Sequence, residues 1–296
     1  MTWPIYTHTL TRTKVVQSFV RAAYPHGSLR TVKRGPLRNF RLLVSPAMGF
    51  TYIWNMDGDA WDWVKFVAAG QCVYDIGANC GQSTLHLARA VGREGRVIAF
   101  EPVAWNFERL VRNVELNALD QVTPVCAAAS DLDGDAKFEF TEHNSTQGRL
   151  IPVGQENTRP SDFQEIRVQQ LRLDPYDGRG WPAPSFLKVD VEGGAPAVLA
   201  GASGLFESCR PTVYIELHSG DEQLAVRDLL RRHRYRAYSL AGIRWKIRRR
   251  NGSIPYCVVR SRRTKAGLRR ATALTSSVRP ASGDPWPPSR TGTRCL

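Results

Sequence analysis

Two groups of residues carry types and spacings that can do chemistry. The first is Asp75-Ile-Gly-Ala-Asn-Cys-Gly81, directly after an apolar run. Glycines at a strand-to-helix turn let the backbone approach a ligand closely. Gly77 and Gly81 stand four residues apart, without the Gly-x-Gly-x-x-Gly spacing of a dinucleotide site. Asp75 suits a ligand bearing an ammonium group and would repel a pyrophosphate. S-adenosylmethionine, with its α-amino group and sulfonium, has that charge; a tight structural turn would use the same residues. The second group is Phe186-Leu-Lys188-Val-Asp190-Val-Glu192-Gly193, followed by Glu216 and His218 in the next apolar run. Lys188, Asp190 and Glu192 share a parity, so a strand points them to one side. Asp190, Glu192, Glu216 and His218 can converge as a general base or a hard-metal site. A buried, hydrogen-bonded charge network with Lys188 fits the same pattern.

Between these groups, Val97-Ile-Ala-Phe-Glu101-Pro102 places an acid twenty residues after Gly81. An acid at the carboxyl end of that strand can take both ribose hydroxyls of an adenosine. Glu101 can instead cap the helix that starts near Ala104; pairing with Asp75 favours the ligand. Ala127-Ala-Ala-Ser130-Asp131 offers small residues and a hydroxyl to flank adenine, or a plain turn.

These residues need elements to hold them. Apolar periodicity predicts strands over 72–76, 96–100 and 122–127, with helices over 82–91 and 105–116 between them. That order predicts a parallel sheet covered by helices, joined by right-handed crossovers. A strand over 136–140, a polar loop over 142–158 and a strand over 165–171 form an insertion where a helix would stand. Alternation resumes with strands over 186–191 and 212–217 and helices over 196–206 and 222–233. Strands over 236–240 and 254–259 close the pattern as a hairpin across Asn251-Gly252. Upstream, the pattern predicts a helix over 14–23, strands over 40–44 and 50–54, and a helix over 60–69. No internal repeat is present.

The chain has 296 residues, of which 42% are hydrophobic, enough for one α/β domain with extensions. Eight Trp, nine Tyr and eleven Phe exclude wholesale disorder. The formal charge is +14. Much of the excess lies in runs at 244–250 and 260–270, so a basic tail on an otherwise ordinary enzyme explains it. The division expected is an N-terminal helical extension (1–35), a catalytic domain (36–261) and a basic, disordered tail (262–296). The six cysteines form no Cys-x-x-Cys pair, which argues against a zinc knuckle. Cys72, Cys126 and Cys209 read as reduced core or boundary residues. The start Met1-Thr-Trp-Pro is not a secretory signal, and the longest apolar stretch, 42–54, is too short to span a bilayer. A cytoplasmic protein is expected.

Val73-Tyr-Asp-Ile-Gly-Ala-Asn-Cys-Gly-Gln-Ser83, Ala99-Phe-Glu-Pro102, Ala129-Ser-Asp131, Leu173-Asp174, Lys188-Val-Asp-Val-Glu-Gly193 and Tyr214-Ile-Glu-Leu-His218 occur in this order. Together, over about 35–240, they resemble the FkbM family of methyltransferases. The resemblance implies a class I methyltransferase fold: a doubly wound, Rossmann-like, mostly parallel seven-stranded sheet whose last strand is antiparallel. It also implies methyl transfer from S-adenosylmethionine to a hydroxyl of a sugar, glycolipid or polyketide. Carried over, Asp75, Gly77, Ala78, Asn79 and Gly81 surround the methionine part, Glu101 holds the ribose, and Ser130 and Asp131 sit near adenine. Asp190 and Glu192 face the acceptor. His218, with the ordinary pKa best suited to a base, joins them as a catalytic candidate. One departure stands out: the family's second acid after Glu-Gly is replaced by Ala195, so no metal is expected. A nucleic-acid methyltransferase would place Asn/Asp-Pro-Pro-Tyr/Phe where Asp190-Val-Glu-Gly stands. A non-catalytic binding protein on the same fold is the other alternative.

Overall fold

Short apolar runs such as Cys72-Val-Tyr-Asp-Ile76 and Phe186-Leu-Lys-Val189 become strands because a sheet covered on both faces needs apolar side chains on both sides. The computed structural model describes residues 22–25, 27–44, 52–55, 58–141, 144–151, 163–245 and 256–261. The parallel strands are β3 (Cys72–Ile76), β4 (Arg96–Phe100), β5 (Val122–Val125), β10 (Phe186–Val189) and β11 (Thr212–Glu216), numbered after an antiparallel pair, β1 (Ser28–Thr31) and β2 (Arg41–Val44). The crossover helices are α1 (Gln82–Val91), α2 (Ala104–Leu116), α3 (Ala195–Ala200), α4 (Ser203–Ser208) and α5 (Gly220–Arg232). Three more strands complete the sheet: β12 (Tyr235–Tyr238), β13 (Arg244–Trp245) and β14 (Tyr256–Ser261).

The strand order is β13-β12-β14-β11-β10-β3-β4-β5. β14 inserts between β11 and β12 and runs antiparallel to both. The expected seven-stranded sheet with an antiparallel last strand therefore forms, and the short β13 adds an eighth at the edge. β10 and β4 flank β3, and each is reached by a chain that leaves the carboxyl end of a strand and crosses back. The chain reverses its winding there, which opens a crevice beyond the carboxyl ends of these strands. One face of the sheet packs Val73, Leu85, Leu87 and Phe107; the other packs Tyr74, Ile76, Leu187 and Phe206.

The insertion after β5 is a second sheet of β6 (Ala128–Ala129), β7 (Gly134–Thr141), β8 (Asn144–Leu150) and β9 (Phe163–Leu171), in the order β6-β9-β7-β8. Here the sequence expectation fails in part. Residues 144–150, expected in a polar loop, form β8, because pairing with β7 satisfies their backbone despite their polarity. The sheet seats Phe138, Phe140 and Val168 on Val103 at the start of α2.

Three further corrections concern helices. The expected helix over 196–206 is two, broken at Gly201, where a Cβ would stand 1.8 Å from the Ser130 carbonyl oxygen. Asp174 accepts bonds from the Gly204 and Leu205 amides (2.7 and 2.9 Å), fixing the start of α4. Residues 58–66 form a 3₁₀ segment rather than an α-helix. Tyr52 and Ile53, expected in a strand, are helical. Cys126 is disulfide-bonded rather than reduced. The helix expected over 14–23 lies almost wholly outside the described residues, as does all of the 262–296 tail. Among the described residues no helix is long and apolar enough to cross a membrane.

Candidate active site

The crevice holds a cavity of about 310 Å³. Its floor is the turn after β3. Gly77 has φ +79°, and a Cβ there would stand 2.0 Å from the Asp190 carbonyl oxygen, so only glycine fits. The Gly77 and Ala78 amides donate to the Phe100 carbonyl, tying this turn to the end of β4. The next amide, Asn79, donates to Glu101 Oε2 (2.9 Å), while Glu101 Oε1 accepts from the Val103 amide (3.1 Å) and Asn106 Nδ2 (3.3 Å). Glu101 thus ties the turn after β3 to the chain entering α2, without capping the helix, and lines the cavity. Burial pushes its pKa up to about 7, against the lowering effect of the bonds from Val103, Asn106 and Asn79.

Asp75 lies beneath this floor rather than on it. It is 0% exposed, and its Oδ2 accepts from Ser83 Oγ (2.8 Å) and Thr84 Oγ1 (2.6 Å) at the start of α1. Lys188 lies opposite Asp75 in the β3–β10 register. Its Nζ donates to the Gly77 carbonyl (2.8 Å) and stands 3.4 Å from Asp75 and 3.3 Å from Asp190. Burial opposes the lysine's charge, yet Asp190, Asp75 and Glu216 hold its pKa well above the ordinary value. The ammonium is a fixed cation that links the floor to the carboxylates at the end of β10.

Those carboxylates form the far wall. Asp190 Oδ1 lies 3.2 Å from His218 Nε2, and Glu192 Oε2 lies 3.5 Å from His218 Nδ1. Burial would raise the Asp190 pKa, but Lys188 and His218 bring it down to about 2. The bond to Asp190 lifts His218 to about 9 against the effect of burial, with Glu192 adding to the rise. At neutral pH this is an aspartate–imidazolium pair, so His218 has no free lone pair for a proton. Glu216 behaves differently: burial, then Asp190, raise its pKa. Tyr214 donates to its Oε1 (3.0 Å). One ligand atom each from Asp190, Glu216 and His218 lies within 4.8 Å of the others, close enough for a cation. The Lys188 ammonium already supplies positive charge at Asp190.

The profile of the methyltransferase FkbM domain matches residues 75–237. The chain belongs to the FkbM methyltransferase family. The hexuronic acid methyltransferase AglP of Haloferax volcanii is 29% identical over 160 residues, covering 53% of this chain and 60% of that relative. The chain thus spans about three fifths of the length of the curated relative it matches. Among solved structures, the FkbM methyltransferase of Methylobacillus flagellatus KT is 21% identical, with 64% of this chain and 43% of that chain covered and a TM-score of 0.42. A putative rRNA-methylase from Clostridium thermocellum is 15% identical, with 68% and 92% covered and a TM-score of 0.42.

In this member of the FkbM family the cavity brings together Gly77, Ala78, Asn79, Glu101, Asp190 and Glu192. It does not reach Gly81, whose φ of +92° starts α1 against Leu110. Ser130 is buried beside the wall and bonds Asp131 (3.2 Å), which is exposed; the lining there is Ala127–Ala129. His218 stands behind Asp190. Sequence reasoning underweighted Glu216 and missed Trp61, Trp63 and Arg149. Trp63 stacks on Tyr214 at 4.9 Å (11°) and so backs the tyrosine that holds Glu216. Trp61 lines the cavity and stacks on His86 at 4.3 Å (16°). Both tryptophans precede the profile match. An apolar periodicity cannot tell a wall residue from a core residue.

Proposed function

We propose that this chain transfers a methyl group from S-adenosylmethionine to a hydroxyl oxygen of a sugar or glycan acceptor. The observation that carries this reading is one cavity joining two parts. One is a glycine cradle with an acid at the end of the next strand. The other is a wall of carboxylates with graded proton affinity. The cradle fits the cofactor: a Cβ at Gly77 would close it, and Glu101 has acceptor capacity beyond its three donors. The methionine part would lie along Gly77–Asn79, the ribose hydroxyls on Glu101, and adenine against Ala127–Ala129.

When bound, the cofactor supplies a methyl on a sulfonium, a group that leaves readily as a thioether. The protein's task is alignment and exclusion of water. Glu216 accepts the acceptor's hydroxyl hydrogen bond and fixes its direction, beside an Asp190 that Lys188 and His218 hold ionised. As the oxygen bonds the methyl and the carbon–sulfur bond breaks, the hydroxyl proton must leave. Glu216 takes it, because its raised pKa suits a general base better than that of Asp190. The name of the Haloferax relative supports a sugar acceptor.

The test is incubation with methyl-labelled S-adenosylmethionine and fractionated glycans and nucleic acids, with isothermal titration of S-adenosylhomocysteine alongside. Label is expected in a glycan fraction as an acid-stable ether. Label in RNA, or no binding of S-adenosylhomocysteine, would sink the reading.

A further inference from the structure

The cavity lining carries four carboxylates, Glu101, Asp190, Glu192 and Glu216, and two cations, Lys188 and Arg149. Lys188 is committed to Asp75, Asp190 and the Gly77 carbonyl. Arg149 is not part of that cluster. It stands on β8, directly across from Glu139 on β7, and its Nε donates to Glu139 Oε1 at 2.5 Å. The Glu139 side chain is 1% exposed, whereas that of Arg149 is 37% exposed. Neither Nη group of Arg149 has a partner among the described residues.

A guanidinium gripped at Nε by a buried carboxylate keeps its Nη edge in a fixed direction. That edge presents parallel N–H donors, which match the two oxygens of a carboxylate. A cross-strand pair that only joined β7 to β8 would work as well with both groups in solvent. β8 is also three strand spacings from β6, roughly 14 Å. Arg149 therefore stands across the roof from the Ala127–Ala129 wall.

We propose that Arg149, oriented by Glu139, is a carboxylate anchor, and that the acceptor is an acidic sugar. The sugar's carboxylate lies on the Arg149 Nη edge while one of its hydroxyls meets Glu216. This rests on the sugar-acceptor reading above. The cofactor also carries a carboxylate, so the experiment must separate the two sources.

The probes are methyl pyranosides of gluco, galacto and manno configuration, each paired with its uronate, assayed with methyl-labelled S-adenosylmethionine. The wild-type chain is expected to favour a uronate over its neutral twin by tenfold or more in kcat/KM. Arg149→Met should lose that preference through KM, and Arg149→Lys should keep part of it. Glu139→Gln, a positioning change, should raise KM for the uronate and leave the neutral twin's KM unmoved. Binding of S-adenosylhomocysteine to Arg149→Met, by titration, should stay within twofold of wild type, which also reports that the variant is folded. Equal use of uronate and neutral twin by wild type, or an unchanged preference in Arg149→Met, overturns the proposal. So does weakened binding of S-adenosylhomocysteine with unchanged binding of 5′-methylthioadenosine, which lacks the amino-acid part: the anchored carboxylate would then be the cofactor's. If no sugar of the panel or of the glycan fractions is methylated while another acceptor class is, the sugar reading itself fails, and this proposal with it.

Discussion

The individual acids of this site differ in what their surroundings ask of them. Glu101 is buried with a pKa raised to about 7. In the cofactor-free protein it therefore gains a proton as pH falls through 7, and a protonated carboxyl accepts ribose hydroxyl bonds poorly. Affinity for S-adenosylhomocysteine is expected to fall by roughly tenfold per pH unit well below 7, and Glu101→Gln should bind weakly with that slope gone. Titration calorimetry between pH 5 and 8 checks both, each range being about the window set by one proton. His218 has the opposite sign. Its folded pKa is raised to about 9, so its pairing with Asp190 is fully present below the unfolded histidine value and is lost as pH rises through 9. The depressed pKa of Asp190 keeps the partner ionised until pH falls to about 2. Turnover should decline as pH rises through 9, and His218→Asn should lack that alkaline limb. A pH–rate profile unchanged by the substitution would remove His218 from the machinery. The sequence left Asp190, Glu192 and His218 open as the base; the fold brings His218 to 3.2 Å from Asp190, a contact that the ordinary pKa of histidine does not include.

At the scale of elements, the site depends on how closely β3 and β10 end together. Gly77 is fixed by both its φ of +79° and the Asp190 carbonyl 2.0 Å from a would-be Cβ. Gly77→Ala must force the two turns apart, a strain of about 1–3 kcal/mol or more. Urea unfolding should register that loss, and S-adenosylhomocysteine binding should fail even where the variant stays folded. The turn glycine is legible in sequence because an isolated glycine after an apolar run has few other uses. The second sheet is not legible in the same way. Residues 144–150 read Asn-Ser-Thr-Gln-Gly-Arg-Leu, with no alternation, and form β8 only because β7 offers an unpaired edge. That strand brings Arg149 to the cavity. The 3₁₀ segment likewise hides its purpose, since Trp61 and Trp63 look alike in sequence and both line the cavity, but only Trp63 also stacks on Tyr214.

For the whole molecule, the cavity is walled by both sheets and by the 3₁₀ segment, so a ligand in it couples all three. Saturation with S-adenosylhomocysteine at about 100 times its Kd should stabilise the fold by about 2.7 kcal/mol. That corresponds to a rise in Tm of roughly 5–10 °C for a chain of this size, measurable by calorimetry. A shift of less than one degree would mean that the cofactor cradle is not formed as described. The sequence by itself determined the alternating α/β order, the glycine turn, the acid at the end of β4 and the carboxylates after β10, because strand and helix periods and glycine's freedom act locally. It also determined the family, through motifs that keep their order along 75–237. Only the tertiary structure decided which acids share a wall, that Asp75 supports the floor from below, and that Lys188 and His218 set the charge of Asp190. Those properties depend on distances between residues remote in the chain and on the water excluded between them, and no local pattern encodes either.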